Sequence, residues 1–133
     1  MTEKSFFEFI RIREALEASW DTKTSYLAGF QPGNPAFGQC YPTARLVQHF
    51  FPGTEIIKGE VWNGKAIETH FWNGLVLGDQ LYHIDLTWQQ FPFGSSVRVF
   101  KLLDRNELND SPQTIERCEL LRQRVLSYLS VAA

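Results

Sequence analysis

The sequence predicts one α+β domain, on three observations. Apolar residues recur at helical spacing near residues 5–20, 40–50 and 112–129, whereas Thr54–Leu102 alternates with the period of two that is typical of strands. The order of helix, helix, strands and helix indicates helices packed on a small antiparallel sheet. No repeat, low-complexity tract or linker divides the chain, so residues 1–133 are expected to fold as a single domain.

Start and stop residues place the first two helices. Ser5–Glu8 has the S-x-x-E pattern of a capping box, and the helical spacing continues to about Trp20. The second helix is expected to begin near Cys40, because Pro42 suits a first helical turn, and to end at Phe51–Gly53. The glycine- and proline-rich stretch between the two helices predicts a long irregular loop, and such loops are often functional.

The third helix has an expected N-cap and an apolar stripe. Asp110 or Ser111 is the expected N-cap, and Pro112 is the expected first helical residue. The stripe contains Ile115, Cys118, Leu121, Val125 and Leu129. Cys118 is therefore expected in the core, where a cysteine behaves as a small hydrophobic residue.

Turn residues divide the middle of the chain into strands. Asn63-Gly64 is the strongest hairpin pattern of the sequence, and Gly78-Asp79 indicates a second turn. The expected strands are Thr54–Trp62, Ala66–Leu75, Leu81–Trp88 and Val97–Leu102.

Composition and charge exclude several classes of partner. The net charge is -2 at pH 7 and the lysines and arginines are scattered, so neither nucleic acid nor a membrane is an expected partner. The chain has no apolar run of about 18 residues and no secretory signal, which predicts a soluble, cytoplasmic protein. Cys40 and Cys118 are accordingly expected to be free thiols. The sequence does not indicate an oligomeric state.

Cys40 lies where a cysteine is easily activated. Unpaired N–H groups and the helix dipole at a helix N-terminus stabilise the nucleophilic thiolate and could also hold an oxyanion. A nucleophilic cysteine needs a base, and the histidines of the chain are His49, His70 and His83. His49 lies about two and a half turns from Cys40 on the same helix, which is too far for contact.

The predicted turn at Gly78-Asp79 brings a carboxylate near His70. With a two-residue turn, His70 faces Thr87 on the next strand. Asp85 then faces Trp72 and lies diagonal to His70 on the same face, about 7 Å away between Cβ atoms. This spacing predicts an imidazole–carboxylate pair. The pair depends on the turn, because a slip of one residue would move Asp85 to the other face.

Three blocks of the sequence resemble the catalytic blocks of the transglutaminase-like cysteine enzymes. They are G-Q-C at residues 38–40, H-x-W-N at 70–73 and D-x-T-x-Q at 85–89, in the same order. The wider runs around these blocks, together with Trp20-x-x-x-Thr24, resemble the small bacterial proteins of the YunG type. The resemblance extends from about Trp20 to Phe91.

The resemblance implies a papain-like core in which Cys40, His70 and Asp85 form a catalytic triad. Cys40 would attack the carbonyl of an amide or thioester, His70 would transfer the proton, and Asp85 would hold the imidazole. The implied substrate contains an amide, such as a peptide or protein, and both hydrolysis and acyl transfer are open. No cofactor is implied, and the sequence has no D-x-[DN]-x-[DN]-G calcium loop.

Residues around the three blocks are candidates for supporting roles. The candidates for a second oxyanion donor are Gln39, Asn34 and Trp20. The candidates for shielding or orienting the histidine and the carboxylate are Trp72, Asn73, Thr87 and Gln89. Thr87 and Gln89 share the inward parity predicted for Asp85. Trp72 is equally compatible with ordinary packing, and Asn73-Gly74 with a turn.

Two other interpretations compete with the enzyme. One is a catalytically silent papain-like module that binds protein through a groove of aromatic side chains, namely Phe30, Phe37, Trp72, Trp88, Phe91 and Phe93. The same aromatic residues are typical of core packing. The other is a zinc site formed by Cys40, His70, His83 and Asp85, for which the sequence has neither a C-x-x-C nor an H-E-x-x-H spacing. No metal is therefore expected.

Overall fold

The computed structural model describes residues 3–26 and 31–132 and has the predicted α+β architecture. Three helices accompany one four-stranded antiparallel sheet, in which the strand order is β3-β2-β1-β4. The elements are α1 (Glu3–Ser19), α2 (Cys40–Phe50), β1 (Glu55–Trp62), β2 (Ile67–Leu77), β3 (Gln80–Ile84), β4 (Ser96–Leu102) and α3 (Pro112–Ala132), with a 3-10 helix at Trp88–Gln90.

The predicted register between β2 and β3 is confirmed. Leu77 pairs with Gln80 across the turn, and Gly74 pairs with His83. Gly78 has a φ of 64°, the left-handed conformation that a tight hairpin requires and that glycine adopts without strain. Because Gly74 lies inside β2, no turn forms at Asn73-Gly74.

The predicted end of β3 is wrong. The strand was expected to reach Trp88, but its pairing stops at Ile84, and the chain continues into a 3-10 helix. The carboxylate of Asp85 explains the change, because its Oδ1 accepts hydrogen bonds from the backbone N–H and the hydroxyl of Thr87. A side chain that bonds to the backbone two residues onward competes with a strand ladder. His70 and Thr87 are therefore not strand partners.

The helix boundaries agree with the prediction for α2 and α3 but not for α1. α2 begins at Cys40 and α3 at Pro112, and the hydroxyl of Ser111 accepts the N–H of Thr114 as an N-cap. α1 begins at Glu3, so Ser5 lies inside the helix and the predicted capping box is wrong. Among the residues described, no helix has the length and apolar character needed to cross a membrane.

The core joins the three helices, and α2 also packs on β2. The buried cluster contains Ile12, Ala15, Leu16, Trp20, Ala36, Leu46, Leu121 and Val125. Two members of the predicted stripe of α3 lie outside this core. Ile115 is exposed, and Cys118 is only half-buried, so the core position predicted for Cys118 is wrong. Both cysteines are free thiols.

Candidate functional site

The start of α2 presents Cys40 among unpaired backbone donors. Thr43 donates its N–H to the carbonyl of Gln39, and Pro42 has no N–H to donate. The N–H groups of Cys40 and Tyr41 therefore have no acceptor within the helix. Gln39 makes no side-chain cap, and the first turn contains no acidic residue. The helix end is thus open to negative charge on the thiol or on a ligand beside it.

His70 and Asp85 form a close pair. Nε2 of His70 lies 2.7 Å from Oδ2 of Asp85, and the other carboxylate oxygen, Oδ1, is held by Thr87. The imidazole is fully buried, whereas Asp85 is half-buried at the edge of the sheet. The predicted proximity of the two side chains is therefore present, although Asp85 follows β3 instead of lying within it.

The environment of His70 favours its protonated form. Burial lowers the pKa of the imidazole, but the hydrogen bond to Asp85 and the interaction with the Cys40 thiol outweigh burial and raise the pKa to about 9. Nε2 is occupied by Asp85, while Nδ1 is buried and has no hydrogen-bond partner in the described part of the chain. Nδ1 is therefore the ring nitrogen that is not engaged by Asp85.

Aromatic rings enclose the imidazole. Trp72 stacks on His70 with ring centroids 5.4 Å apart, and Phe91 contacts it edge-on at 4.7 Å. The indole N–H of Trp72 donates to Nδ1 of His83, which fixes the plane of the stacked ring. Gly59 lies beneath Trp72, where a Cβ would approach the indole to 2.3 Å. A glycine at this position of β1 is thus required for the stack.

Tyr26 covers the thiol and was not predicted as a site residue. Its hydroxyl lies 3.7 Å from Sγ of Cys40, and its backbone N–H donates to the carbonyl of Gly38. Cys40 is only 3% exposed. The only sequence clue was the position of Tyr26 in the long irregular loop, since its contact with Cys40 depends on how that loop folds back over α2.

Comparison with known proteins identifies a family. The family model described as YunG protein matches residues 8–130. The chain belongs to the YunG protein family. The search of curated proteins and the search of solved structures gave no match. The family assignment confirms the YunG part of the sequence resemblance.

Each of the three candidate oxyanion donors has a side-chain N–H that bonds to another group of the protein. The indole of Trp20 donates to Oγ1 of Thr43, 3.0 Å away. Asn34 donates to the carbonyl of Gln90, which ties the irregular loop to the 3-10 helix. Gln39 donates to the carbonyl of Asp21, and its buried Oε1 has no partner among the described residues.

The remaining predicted residues have different positions. Trp72 and Thr87 are buried against His70 and Asp85 respectively, as described above. Asn73 donates instead to the carbonyl of Ala44, which fastens β2 to α2. Gln89 is exposed in the 3-10 helix, so the inward position predicted for it is wrong. That prediction assumed that the strand parity continued beyond Ile84.

Among the described residues, the aromatic side chains of the binding hypothesis have different surroundings. Trp72, Trp88 and Phe91 pack around His70, whereas Phe93 is fully exposed. Phe30 lies outside the described residues. In the described ranges no group of three or more His, Cys, Asp or Glu side chains is arranged to hold a metal ion. His83, a member of the hypothetical zinc set, is instead bonded to Trp72.

Proposed function

We propose that the protein is a cysteine hydrolase or acyltransferase that acts on amides or thioesters, on a papain-like, transglutaminase-like core. One observation carries the proposal. A buried imidazole is held by Asp85 through Nε2, and its Nδ1 is unpaired in the described part of the chain. Its pKa is raised in part by the thiol of Cys40, which lies at an open helix N-terminus. This arrangement has the nucleophile, base and orienting group that acyl transfer needs.

The proposed reaction begins with proton transfer from Cys40 to Nδ1 of His70. The resulting thiolate attacks the substrate carbonyl carbon, forming the C–S bond, and the carbonyl electron pair moves to oxygen. When the tetrahedral intermediate collapses, the C–N or C–S bond to the leaving group breaks, and the imidazolium protonates that group. Water or an amine then attacks the thioester and releases Cys40, again with His70 as the base.

The surroundings support each charge in this scheme. The imidazolium is stabilised by the carboxylate of Asp85, which is consistent with the raised pKa of His70. The backbone N–H of Cys40 has no acceptor within α2 and is a candidate oxyanion donor. The hydroxyl of Tyr26 is in contact with Sγ of Cys40. We include it as the second candidate oxyanion donor, ahead of Trp20, Asn34 and Gln39.

A protein-binding module without catalysis is the second candidate function. It is favoured by apolar side chains that stand exposed on and beside β4, including Phe93, Val99 and Phe100. Of these residues, Phe100 also packs against Trp72 and His83. The two functions therefore differ in one respect that can be measured, which is whether the thiol reacts.

Acylation of Cys40 by an activated ester tests the proposed enzyme. We expect p-nitrophenyl acetate to acetylate Cys40, detected by mass spectrometry of the intact protein and its peptides, and the acetyl group to be lost with time. Cys40→Ala should abolish this labelling, and His70→Gln should slow it by about 100-fold, which is typical for loss of a general base. Cys118→Ser is the matched control and should retain the full rate. Labelling that does not depend on His70 would refute the proposal.

A further inference from the structure

A surface groove lies beside Cys40 and is not used in the scheme above. It has a volume of about 440 Å³ and lies between the start of α2, β2 and the segment that leads into α3. One wall is aromatic, with Tyr26, Tyr41 and Phe71, of which the last two contact edge-on at 4.8 Å. The lining also contains Asp110 and Arg117. The groove thus combines an aromatic surface with two charged side chains.

The two charged side chains of the groove are not equivalent. The carboxylate of Asp110 already has partners, because Arg45 binds Oδ2 at 2.9 Å and the hydroxyl of Tyr41 donates to Oδ1. Arg117 also lines the groove, and within the described ranges it makes neither an ion pair nor a hydrogen bond. The charge left without a partner in the groove is therefore positive. A guanidinium with free donors binds a carboxylate preferentially, through two parallel hydrogen bonds.

Tyr26 connects the groove to the thiol. Its ring lines the groove, and its hydroxyl lies 3.7 Å from Sγ of Cys40. The carboxylate of Glu68 also acts on Tyr26 and accepts a hydrogen bond from Asn63 at 2.7 Å. An anion is therefore disfavoured beside Glu68 and favoured at Arg117. This polarity would orient an elongated substrate with its anionic end in the groove.

We propose that the groove binds a carboxylate on the substrate, with Arg117 as the residue that recognises it, and so directs the reacting carbonyl to Cys40. The inference rests on the proposed function and names its substrate class, which is an amide or thioester of an acidic acyl compound. The carboxylate belongs to an acidic side chain or to a chain end. The aromatic wall packs against the apolar part between the carboxylate and the reacting carbonyl.

Three chloroacetyl probes of nearly equal size test the inference. Chloroacetyl-Gln-NH2 is neutral, chloroacetyl-Glu-NH2 has a side-chain carboxylate, and chloroacetyl-Gln has a chain-end carboxylate. The rate of Cys40 alkylation by each probe is measured by mass spectrometry and divided by its rate with glutathione. We expect at least one anionic probe to react about fivefold faster than the neutral probe, from one charge-assisted contact at a half-exposed site. The faster anionic probe identifies the source of the carboxylate.

Two variants on α3, each of which removes one positive charge, test whether Arg117 causes the preference for an anionic probe. Arg117→Gln should reduce the rate ratio of the anionic to the neutral probe to one. Arg122→Gln is the matched control, because Arg122 lies on the same helix but is paired with Glu119 and lines a different pocket. It should retain the preference. Circular dichroism confirms that both variants fold.

The outcomes distinguish the inference from the function on which it rests. Equal normalised rates for the three probes, or a preference that persists in Arg117→Gln, would overturn the role of the groove. The proposed function is tested in parallel with neutral iodoacetamide and His70→Gln. A His70-dependent reaction without a carboxylate preference overturns only the role proposed for the groove and leaves the proposed function in place. A reaction that does not depend on His70, or no alkylation of Cys40 by any reagent, overturns both.

Discussion

The starts of α2 and α3 place the two cysteines of the chain in contrasting surroundings. α2 opens with Cys40 itself and has no side-chain cap, whereas α3 opens with Pro112 and is capped by Ser111. Cys118 lies almost two turns inside α3, where the first N–H groups no longer face it. Cys40 therefore lies at a helix N-terminus that has no side-chain cap, and Cys118 lies on the side of a helix whose N-terminus is capped.

The partners of the two thiols differ as well. The thiol of Cys40 contributes to the raised pKa of His70, which is hydrogen-bonded to Asp85. Burial, followed by the nearby carboxylate of Asp110, raises the pKa of Cys118 to about 11. The comparison predicts that position on a helix, burial and the charge of the neighbours together determine which of the two cysteines is the better nucleophile.

The largest expected difference is the rate of alkylation of the two thiols at pH 7. With a pKa of about 11, Cys118 has about one thiolate in 10,000 molecules, whereas an ordinary thiol has a few per cent. We expect iodoacetamide to alkylate Cys40 at least about 100-fold faster than Cys118, as measured by peptide mass spectrometry. Tyr26→Ala, which uncovers Sγ, should increase the difference further. Equal rates for the two cysteines would contradict the difference in reactivity that we predict from the two helix starts.

The next expected effect is a loss of stability at alkaline pH. The pKa of His70 is raised to about 9, above the value of about 6.5 expected in the unfolded chain. The stabilisation by its pair with Asp85 is therefore complete below about pH 6.5 and is lost as the pH rises through 9. The free energy of unfolding in urea should fall by about 3 kcal/mol across this window. Asp85→Asn should remove most of the slope, and an unchanged slope would contradict the pairing.

Trp20→Phe tests whether Trp20 influences the thiol at the start of α2. The substitution removes the indole donor to Thr43 and leaves a buried hydroxyl without that partner. We expect a loss of about 2 kcal/mol in the free energy of unfolding. Because the indole N–H is already bonded, the rate of Cys40 alkylation in the folded protein should stay within about twofold of wild type. A much lower rate would return Trp20 to the list of residues that support the thiol.

The smallest expected effect concerns the cap of α3. Ser111→Ala removes the hydroxyl that accepts the N–H of Thr114 and should cost about 1 kcal/mol in urea unfolding. The alkylation rates of both cysteines should be unchanged, because the cap contacts neither thiol. Ser111→Asp is the matched control, since aspartate also caps a helix and should restore stability. A change in Cys40 reactivity would show that the two helix starts are coupled.

The sequence was sufficient for the parts of the fold that depend on local chemistry. Gly78-Asp79 predicted the β2–β3 register, and from it the closeness of His70 and Asp85, because a two-residue turn leaves one pairing. Pro42 and the apolar spacing after it predicted the start of α2. In each case the decisive interaction involves residues that are close in sequence or fixed by a tight turn.

Two of the failures, the end of β3 and the position of Gln89, arose where a side chain competed with regular structure. The bonds from Asp85 to Thr87 ended β3 early, and the parity argument then failed for Gln89. The D-x-T spacing is itself a pattern for such a turn and could have been recognised. Tyr26 could not have been predicted from the sequence in this way, because its contact with Cys40 arises only when the irregular loop packs over α2.

The pH profile of Cys40 alkylation in the wild-type protein and in His70→Gln tests the central claim most directly. If the thiol and the imidazole share a proton, the wild-type rate with iodoacetamide should change by less than about threefold between pH 6 and 8. The rate in His70→Gln should rise by about tenfold per pH unit, as for an isolated thiol. A wild-type profile that also rises tenfold per unit and coincides with that of His70→Gln would contradict the proposed Cys40–His70 pair.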